Sequence, residues 1–496
     1  MSATNKVKST PPSRSNSMTQ LKVVHPTHSS PQDENDIRIP KDIEQSLNSK
    51  VDEVLSQFTL TTERLKSIQE SFMLEMSRGL EKDGEDLPMI PTFVTGRPTG
   101  EEEGSYFAID LGGSHLRVCL VHLKGPDHET EVIQRKFVVP EEAKTAEATH
   151  LFDFIAEHVE SFLVSSNVHP PKGQTIPLGF TFSFPVNQTA INRGKLMFWN
   201  KGFTCPGAVG KDVVQLLQDA LDRKQVNVTV SAMVNDTVGT LLSSAYKCPN
   251  TLAGVILGTG TNAAYYEKLN NLTKWRGDSS ISEEMILNME WGNFDTEKKY
   301  LPCTAFDNHL DRETQNPYQM VFEKMISGRY LGEIVRIVLI HLIDHRIIFN
   351  GRSTASLNTP YSFASSYLSD IHADETDTLS KTKHILEDLV GFPVKSTTLF
   401  ERRTVQKICK AVGIRSARLS SAALAGLCAK RLDLVDEGVT IGVDGSLFEH
   451  YPNFPKYMKE ALTELLGETH ARGIELVHAT DGSGIGAAMT AMIASQ

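Results

Sequence analysis

The sequence predicts an α/β protein, and two observations carry this prediction. The first is that strand-like and helix-like segments alternate from Gly104 to the C-terminus. Such alternation is typical of sheets that are covered by layers of helices. The second is a Gly-rich hairpin pattern that occurs twice. Because one copy falls in each half of the chain, the repeat indicates two related lobes that face a shared ligand.

Seven apolar segments have the length and composition of strands: 106–112, 116–123, 176–184, 228–234, 252–260, 262–269 and 439–445. Four segments have the apolar spacing of helices: 151–164, 213–223, 318–344 and 402–432. The segment 41–86 is also mostly helical in pattern. Pro88 and Pro91 follow it, so we expect its last helix to end at or before residue 86.

The repeated hairpin pattern occurs in two short segments of the chain. Residues 107–118 read as an apolar strand, a Gly turn and a second strand, and residues 254–265 read the same way. Each alone is as compatible with an ordinary hairpin as with a ligand site. Glycine turns let an anion approach backbone N–H groups, and hydroxyls lie at both tips, at Ser114, Thr259 and Thr261. The pair therefore predicts a phosphate site.

The charge, cysteine and hydropathy patterns exclude several classes of protein. The chain has 61 acidic and 50 basic residues and a net charge of -11, which argues against nucleic-acid binding. Its six cysteines form no CxxC pair, so we expect reduced thiols, no zinc site and a cytoplasmic location. The most apolar window is interrupted by Arg336 and His341 and is too short to span a bilayer.

A third Gly-rich tip precedes the C-terminal helix. Gly482, Gly484 and Ala487 match a dinucleotide-binding pattern, but only nine residues follow Ala487. That remainder is too short for the rest of a βαβ unit and its ribose-binding acid. The segment therefore does not indicate a Rossmann fold.

Three carboxylates are candidates for chemistry. Asp236 directly follows an apolar strand, a position that faces the ligand crevice in open α/β sheets. An Asp at such a position can instead be the N-cap of the next helix. Glu290 and Glu323 are further candidates, although either could be a surface residue or part of an ion pair.

The chain resembles the eukaryotic hexokinases and glucokinases of the actin-like ATPase superfamily, most of all the fungal glucokinases, over residues 50–494. The resemblance rests on motifs that occur in the family's order: FAIDLGGSHLRV, LGFTFSFPVNQTAINRGKLMFWNKGF, GKDVVQLL, VNDTVGT, GVILGTGTNAAY, NMEWGNFD, FEKMISGRYLGEIVR, RSARLSSAAL, IGVDGSLFEHYPNF and DGSGIGAA. It implies a two-lobed actin-like ATPase fold, ribonuclease H-like, with a cleft between a small and a large domain. It also implies a kinase that uses Mg²⁺ and ATP to phosphorylate a hexose.

The resemblance also implies roles for individual residues. Asp236 would be the general base, and Lys201 would assist catalysis. The sugar would be bound by Ser183, Phe184, Asn200, Lys201, Asn235, Asp236, Asn262, Glu290 and Glu323. ATP would be bound by Asp110, Gly112, Gly113, Ser114, His115, Arg117, Gly258, Thr259, Gly260, Thr261, Gly445, Ser446, Gly482, Ser483 and Gly484. Asp110 would lie near Mg²⁺ and contact it through water.

These residue types suit the implied reaction. A sugar hydroxyl is a poor nucleophile, so a carboxylate must accept its proton during phosphoryl transfer. A neutral polyol is recognised by amides and carboxylates, which exchange several hydrogen bonds with it. Cations and N–H donors stabilise the charge that develops on the transferred phosphoryl group.

Two positions depart from the family pattern. His115 replaces the Asn of the first Gly loop, and Asn200 replaces the Thr that precedes the Lys-Gly-Phe of the sugar loop. Both changes touch the expected active site. They leave two alternatives to a glucose kinase: an N-acetylglucosamine kinase, or a catalytically weak sugar sensor or regulator.

The sequence also predicts how the chain is divided. We expect a disordered Ser/Thr/Pro-rich tail at 1–36 and a helical segment at 37–88. A small domain at 89–235 and a large domain at 236–483 would follow, with helix 484–496 returning to the small domain. The expected partners are a hexose sugar and Mg·ATP, with no nucleic acid and no membrane span, and the sequence leaves the oligomeric state open.

Overall fold

Two open β-sheets organise the computed structural model, which describes residues 40–125, 130–168, 174–199, 201–277, 282–479 and 482–495. The predicted tail at 1–36, Asn200 and the side chain of Ser483 lie outside the described residues. The strands are β1 (Ile90–Pro91), β2 (Glu103–Leu111), β3 (His115–Lys124), β4 (Glu131–Val138), β5 (Ile176–Phe182), β6 (Val186–Ala190), β7 (Arg193–Leu196), β8 (Val228–Val234), β9 (Thr251–Leu257), β10 (Thr261–Lys268), β11 (Glu284–Asn288), β12 (Val439–Asp444) and β13 (Ile474–His478).

Helices cover both sheets. They are α1 (Lys41–Ser56), α2 (Thr62–Glu81), α3 (Glu141–Thr145), α4 (Ala148–Ser165), α5 (Val213–Arg223), α6 (Asp236–Lys247), α7 (Ala305–Glu313), α8 (Val321–Ile326), α9 (Gly328–Asp344), α10 (Ser365–His372), α11 (Ser380–His384), α12 (Leu399–Lys430), α13 (Leu432–Val435), α14 (Ser446–His450), α15 (Phe454–Arg472) and α16 (Gly482–Ser495). A π-helical turn follows α11 at Ile385–Leu389.

The first sheet has the strand order β4-β3-β2-β5-β8. Its hairpin β2–β3 is antiparallel, whereas β5 runs parallel to both β2 and β8. The apolar faces of α4 and α5 pack on one side of this sheet, around Phe107, Phe152 and Phe180. On the other side α16 contacts β2, β5 and β8. The predicted α/β layering is confirmed here.

The second sheet has the strand order β1-β11-β10-β9-β12-β13. It contains the other Gly hairpin, β9–β10, and the parallel strands β12 and β13. The N-terminal helices belong to the core of this sheet, because α2 packs along α12. Phe72 of α2 meets Trp291 and Phe294 edge to face, with ring centroids 6.4 and 5.1 Å apart. The N-terminal helices thus support the loop that follows β11.

Helix α16 packs closely against both α6 and β5 at glycine residues. A side chain at Gly486 of α16 would collide with the backbone of Gly239 in α6, and one at Gly179 of β5 would collide with the carbonyl of Ala487. Only glycine permits such close backbone approach. This contact fixes α6, whose first residue is Asp236, against the helix that covers the first sheet.

The prediction of a single helix at 318–344 is wrong. The structure has α8 and α9 instead, and they are separated by Ser327, whose backbone is extended (φ -91°, ψ 150°). The break lets Gly328 N donate to Gly258 O at 2.7 Å and Arg329 N donate to Thr259 O at 3.1 Å. Hydrogen bonds to the Gly hairpin at 258–260, which is distant in sequence, therefore accompany the break between α8 and α9. The segment predicted at 402–432 is similarly divided, with α12 ending at Lys430 and α13 beginning at Leu432.

The division into domains stays a prediction. The structure adds that Ile90 and Pro91 pair with Asn288 and Leu287 of the second sheet, although both fall within the predicted small domain. Helix α16 begins at Gly482, so the third Gly tip is the first turn of a helix and not a free loop. Every helix in the described part of the chain is too short or too polar to cross a bilayer.

Glu75 of α2 is a buried carboxyl group beneath the loop that follows β11. It is 8% exposed, and Asp295 N donates to its Oε2 over 3.4 Å. Burial, with the charges of Asp86 and Asp295 and against that of Arg78, raises the pKa of Glu75 from 4.5 to about 7. The folded state therefore keeps a proton that the unfolded chain releases between these pH values, so stability falls as pH rises through this window.

We expect Glu75→Gln to remove this pH dependence. At pH 8 the variant should be more stable than the wild type by up to about 3 kcal/mol, and at pH 4 the two should be equal. Urea denaturation at both pH values measures the difference. Glu70→Gln, at an exposed position of the same helix, is the matched control. A Glu75→Gln protein that is no more stable than the wild type at pH 8 would contradict the expectation.

Candidate active site

The first Gly hairpin joins β2 to β3 by a tight turn. Gly112 N donates to His115 O at 3.0 Å, which leaves Ser114 exposed at the tip. A methyl group at Gly113 would lie 3.1 Å from Lys201 Cβ, so the turn lies directly against the lysine of the sugar loop. His115 is half-buried at the start of β3 and is paired with Val138 of β4.

Asp110 lies at the carboxyl end of β2 and is 6% exposed. Arg117, its partner across the hairpin, donates from Nε to Asp110 Oδ2 at 3.0 Å. Burial raises the pKa of Asp110, the Arg117 guanidinium opposes that rise, and the negative charge of Asp236 adds to it. Strand β2 therefore brings a carboxylate close to Asp236, as strand-end placement predicts.

The second Gly hairpin joins β9 to β10, and Gly258 N donates to Gly260 O at 3.0 Å. Thr259 is exposed at its tip. Thr261 is built into the hairpin, since its hydroxyl donates to Ile256 O at 2.9 Å and accepts from Trp291 Nε1 at 2.9 Å. Its backbone N–H donates to Glu323 Oε2 at 3.1 Å. The second Gly hairpin, a predicted phosphate site, is thus hydrogen-bonded directly to Glu323, a predicted sugar ligand.

Glu290 and Asn262 come together at the ends of β10 and β11. Asn262 Nδ2 donates to Glu290 Oε1 at 3.1 Å. Glu290 has a left-handed backbone (φ 52°, ψ 46°), which turns the chain directly after the strand. Burial raises the pKa of Glu290 and that of Glu323, while Lys201 opposes both shifts. Both carboxyls therefore belong to one pocket with a cation at its edge.

Asp236 and Asn235 follow β8 at the start of α6. Asn235 is the N-cap, and its Oδ1 accepts from Thr237 N at 2.8 Å. Asp236 Oδ1 accepts from the same N–H at 2.9 Å. Because Asn235 already caps the helix, Asp236 is not required for that purpose. Its charge raises the pKa values of Asp110 and Glu290, so Asp236 lies near both the first Gly hairpin and the pocket of Glu290.

Lys201 lies in the loop between β7 and α5 and packs against Gly113 of the first Gly hairpin. It has a left-handed backbone (φ 54°), and Gly202 (φ 85°) follows. Lys201 Nζ donates to Ser183 O at 2.6 Å and lies 5.5 Å from the ring centre of Phe184. Phe184 in turn packs edge to face on Trp199, 5.0 Å away. The three predicted residues Ser183, Phe184 and Lys201 are thus brought together.

The remaining predicted nucleotide residues lie directly after β12 and in the first turn of α16. Gly445 (φ 120°) packs so closely on Leu257 and Gly258 that a side chain there would collide with their backbone. Ser446 follows at the exposed start of α14. Gly482 and Gly484 are buried in the first turn of α16, where Gly482 packs against Thr240. Gly445 and Gly482 are thus packed closely against neighbouring residues, whereas Ser446 is exposed.

Comparison with known proteins decides the family. Two family models, both described as Hexokinase, match residues 50–246 and 252–493. Hexokinase-1 of Schizosaccharomyces pombe is 38% identical over 91% of this chain and 92% of its own. The chain belongs to the hexokinase family. Hexokinase-1 of Spinacia oleracea is 41% identical, over 87% of this chain and 88% of its own, so plant and fungal hexokinases are similarly close relatives.

A solved structure confirms the fold. The hexokinase of Schistosoma mansoni, complexed with glucose, superposes with a TM-score of 0.81 at 36% identity, covering 91% of this chain and all of that one. The α/β fold that the resemblance implies is therefore confirmed, and it is the fold of hexokinase. The chain is a kinase of this family, and the role of each site residue remains a prediction.

Two residues that no sequence motif singles out lie near these groups. Asp444, the last residue of β12, has a pKa raised by burial and by the charge of Asp236, against the opposing charges of His478 and Arg117. Its position at the end of an apolar strand is the signal that could have found it, as for Asp236. Asn288, the last residue of β11, contacts both Asn262 and Glu290.

The site suits the Mg²⁺ that hexokinases use with ATP. Mg²⁺ keeps several waters and takes one or two carboxylates together with substrate phosphates, and it does not require a protein cage. In the described ranges no three His, Cys, Asp or Glu side chains converge as a cage. Asp110, a buried carboxylate beside the first Gly hairpin, is the residue that fits an ion held mainly by nucleotide and water.

Proposed function

We propose that this hexokinase transfers the γ-phosphoryl group of Mg·ATP to the 6-hydroxyl of glucose, with Asp236 as the general base. The observation that carries the proposal is that Asp236 lies near both Asp110 of the first Gly hairpin and Glu290, whose pKa values its charge raises. The relative from Schistosoma mansoni, which was solved with glucose, supports the choice of sugar.

Proton transfer is the task of Asp236. The 6-hydroxyl must lose its proton as its oxygen bonds to phosphorus, and a positioned carboxylate accepts that proton. Asp236 can do so from a fixed position, because the start of α6 holds its Oδ1 through Thr237 N. The proton goes to the carboxylate, the new O–P bond forms, and ADP leaves with the electrons of the broken bond.

Charge stabilisation is the task of Lys201 and of the two hairpins. Lys201 lies against Gly113 and opposes the pKa rise at Asp110, Glu290 and Glu323, so its ammonium is near all three carboxyls. Exposed hairpin tips can present backbone N–H groups to phosphate oxygens. Bound Mg²⁺, which we propose contacts Asp110 through water, would supply further positive charge at the phosphates.

Sugar recognition would use the polar pocket around Asp236. Amides and carboxylates match a neutral polyol, because each accepts or donates several hydrogen bonds. We propose that these ligands are Ser183, Phe184, Asn200, Lys201, Asn235, Asp236, Asn262, Glu290 and Glu323. The described members lie on the loops that follow β5, β7, β8 and β11, at the starts of α6 and β10, and on α8, so elements of both large sheets contribute.

A sugar panel tests the function. ADP release would be followed with glucose, N-acetylglucosamine and 6-deoxyglucose, the last of which lacks the acceptor hydroxyl. We expect rapid ADP release with glucose and none above background with 6-deoxyglucose. Equal or faster turnover of N-acetylglucosamine would show that this sugar, and not glucose, is the substrate. Binding of glucose in calorimetry without any ADP release would instead identify a sugar sensor.

The proposed compartment is the cytoplasm. All six cysteines are free, and four of them, Cys119, Cys205, Cys409 and Cys428, are buried. Free thiols are typical of a reducing compartment. This supports the cytoplasm, where ATP is also available as the co-substrate.

A further inference from the structure

Asn288, the last residue of β11, is held between two neighbouring strands. It pairs with Ala264 of β10 on one side and with Ile90 of β1 on the other. Its side chain is 7% exposed. A buried amide needs partners for both its oxygen and its nitrogen, because an unsatisfied polar group is costly in a protein interior.

The Asn288 amide joins two predicted sugar ligands. Its Oδ1 accepts from Asn262 Nδ2 at 2.7 Å, and its Nδ2 donates to Glu290 Oε1 at 2.7 Å. Asn262 Nδ2 also donates to Glu290 Oε1, at 3.1 Å. The orientation of the Asn262 amide is fixed as well, since its Oδ1 accepts from Ala263 N at 2.7 Å. The three side chains thus form a closed triangle of hydrogen bonds.

We propose that Asn288 is a positioning residue that orients Glu290 and Asn262 toward the sugar, an inference that rests on the proposed function. Two amide donors occupy Oε1 of Glu290, which directs Oε2 to accept from a sugar hydroxyl. A free carboxylate at the end of a left-handed turn would otherwise rotate between orientations. Asn288 therefore selects the oxygen that meets the substrate without contacting the substrate itself.

The charge state of Glu290 depends on the same contact. Burial raises the pKa of Glu290, and the hydrogen bond from Asn288 is the strongest influence that opposes this rise. Loss of the donor would raise the pKa further. The carboxylate form, which accepts hydrogen bonds from the sugar, would then be lost at a higher pH.

The test compares four variants of the full chain. Asn288→Ala removes both hydrogen bonds, Asn288→Asp removes the donor at nearly constant shape, and Asn288→Ser keeps a short donor and acceptor. The control is Asn250→Ala, because Asn250 donates to Gly438 O at 3.1 Å and lies at the other end of β9 from the Gly hairpin. The readouts are KM for glucose and for Mg·ATP, the pH profile of kcat/KM, glucose binding by calorimetry and the melting temperature.

We expect Asn288→Ala and Asn288→Asp to raise KM for glucose by about 10- to 100-fold, as for a lost hydrogen bond to a charged group. KM for Mg·ATP should stay unchanged, the acid limb of kcat/KM should move to higher pH, and Asn288→Ser should recover part of the affinity. The proposal is overturned if KM for glucose is unchanged, or if both KM values and the melting temperature change together. Should the wild type bind glucose without turning it over, the proposed function fails, and calorimetry of the same variants still decides the role of Asn288.

Discussion

Asp236→Asn is expected to lower kcat for glucose phosphorylation by about 10²–10⁴-fold, the usual cost of losing a positioned general base. Asparagine keeps the oxygen that accepts from Thr237 N, so the start of α6 should remain intact. It cannot accept the proton of the 6-hydroxyl. Glucose should still bind, and the loss should therefore fall on kcat and not on the calorimetric affinity. Initial rates and calorimetry on the same preparation separate the two quantities.

The control for this variant is an aspartate that caps a helix and is not among the predicted site residues. Asp212 precedes α5, and its Oδ1 accepts from Val214 N at 3.0 Å and Gln215 N at 3.4 Å. Asp212→Asn should leave kcat unchanged. A kcat for Asp236→Asn that is close to that of the wild type would reduce Asp236 to a second helix-capping residue and would contradict the mechanism.

The second large effect concerns the core of the second sheet's lobe. Arg415 of α12 is fully buried and donates to both oxygens of Asp307 in α7, at 2.7 Å each. We expect Arg415→Met to lower the free energy of unfolding by about 3–5 kcal/mol, because it leaves Asp307 buried without its counter-charge. Urea denaturation at neutral pH measures the loss.

Two further variants test the cause. Replacing both partners, Arg415→Met with Asp307→Asn, should restore part of the stability because no buried charge remains. Arg223→Met breaks the Arg223–Asp153 pair, whose atoms are 2.6 Å apart at the surface, and should cost only about 0–1 kcal/mol. An Arg415→Met protein as stable as the Arg223→Met protein would show that the buried pair is not required.

Local signals explain which elements the sequence could predict. Helix α5 and strand β8 have the predicted bounds, 213–223 and 228–234. The helix follows an Asp N-cap, and the strand alternates apolar and polar residues before it ends in three apolar ones. The break at Ser327 carries no comparable signal, because its cause is a pair of hydrogen bonds to the hairpin at Gly258 and Thr259. Such a long-range contact is invisible in a periodicity pattern.

The candidate site divides in the same way. Asp236 could be predicted because it follows an apolar strand, and the two hairpins because each contains a Gly turn, whereas Asp110 is expected from the family resemblance alone. Asn288 could not, since a single asparagine within the run Met285–Met289 resembles an ordinary strand residue. Its importance depends on which side chains lie beside it in the fold, and Glu290 and Asn262 come from different strand ends.

The position of phosphoryl transfer tests the central claim most directly. Purified full-length protein would be incubated with glucose and Mg·ATP, and the phosphorylated product identified by phosphorus NMR with proton correlation. The account predicts glucose 6-phosphate in equal amount to the ADP released, and at most about a hundredth as much product from the Asp236→Asn protein in the same time. No phosphorylated sugar from the wild type, or phosphate on a hydroxyl other than that of carbon 6, would contradict it.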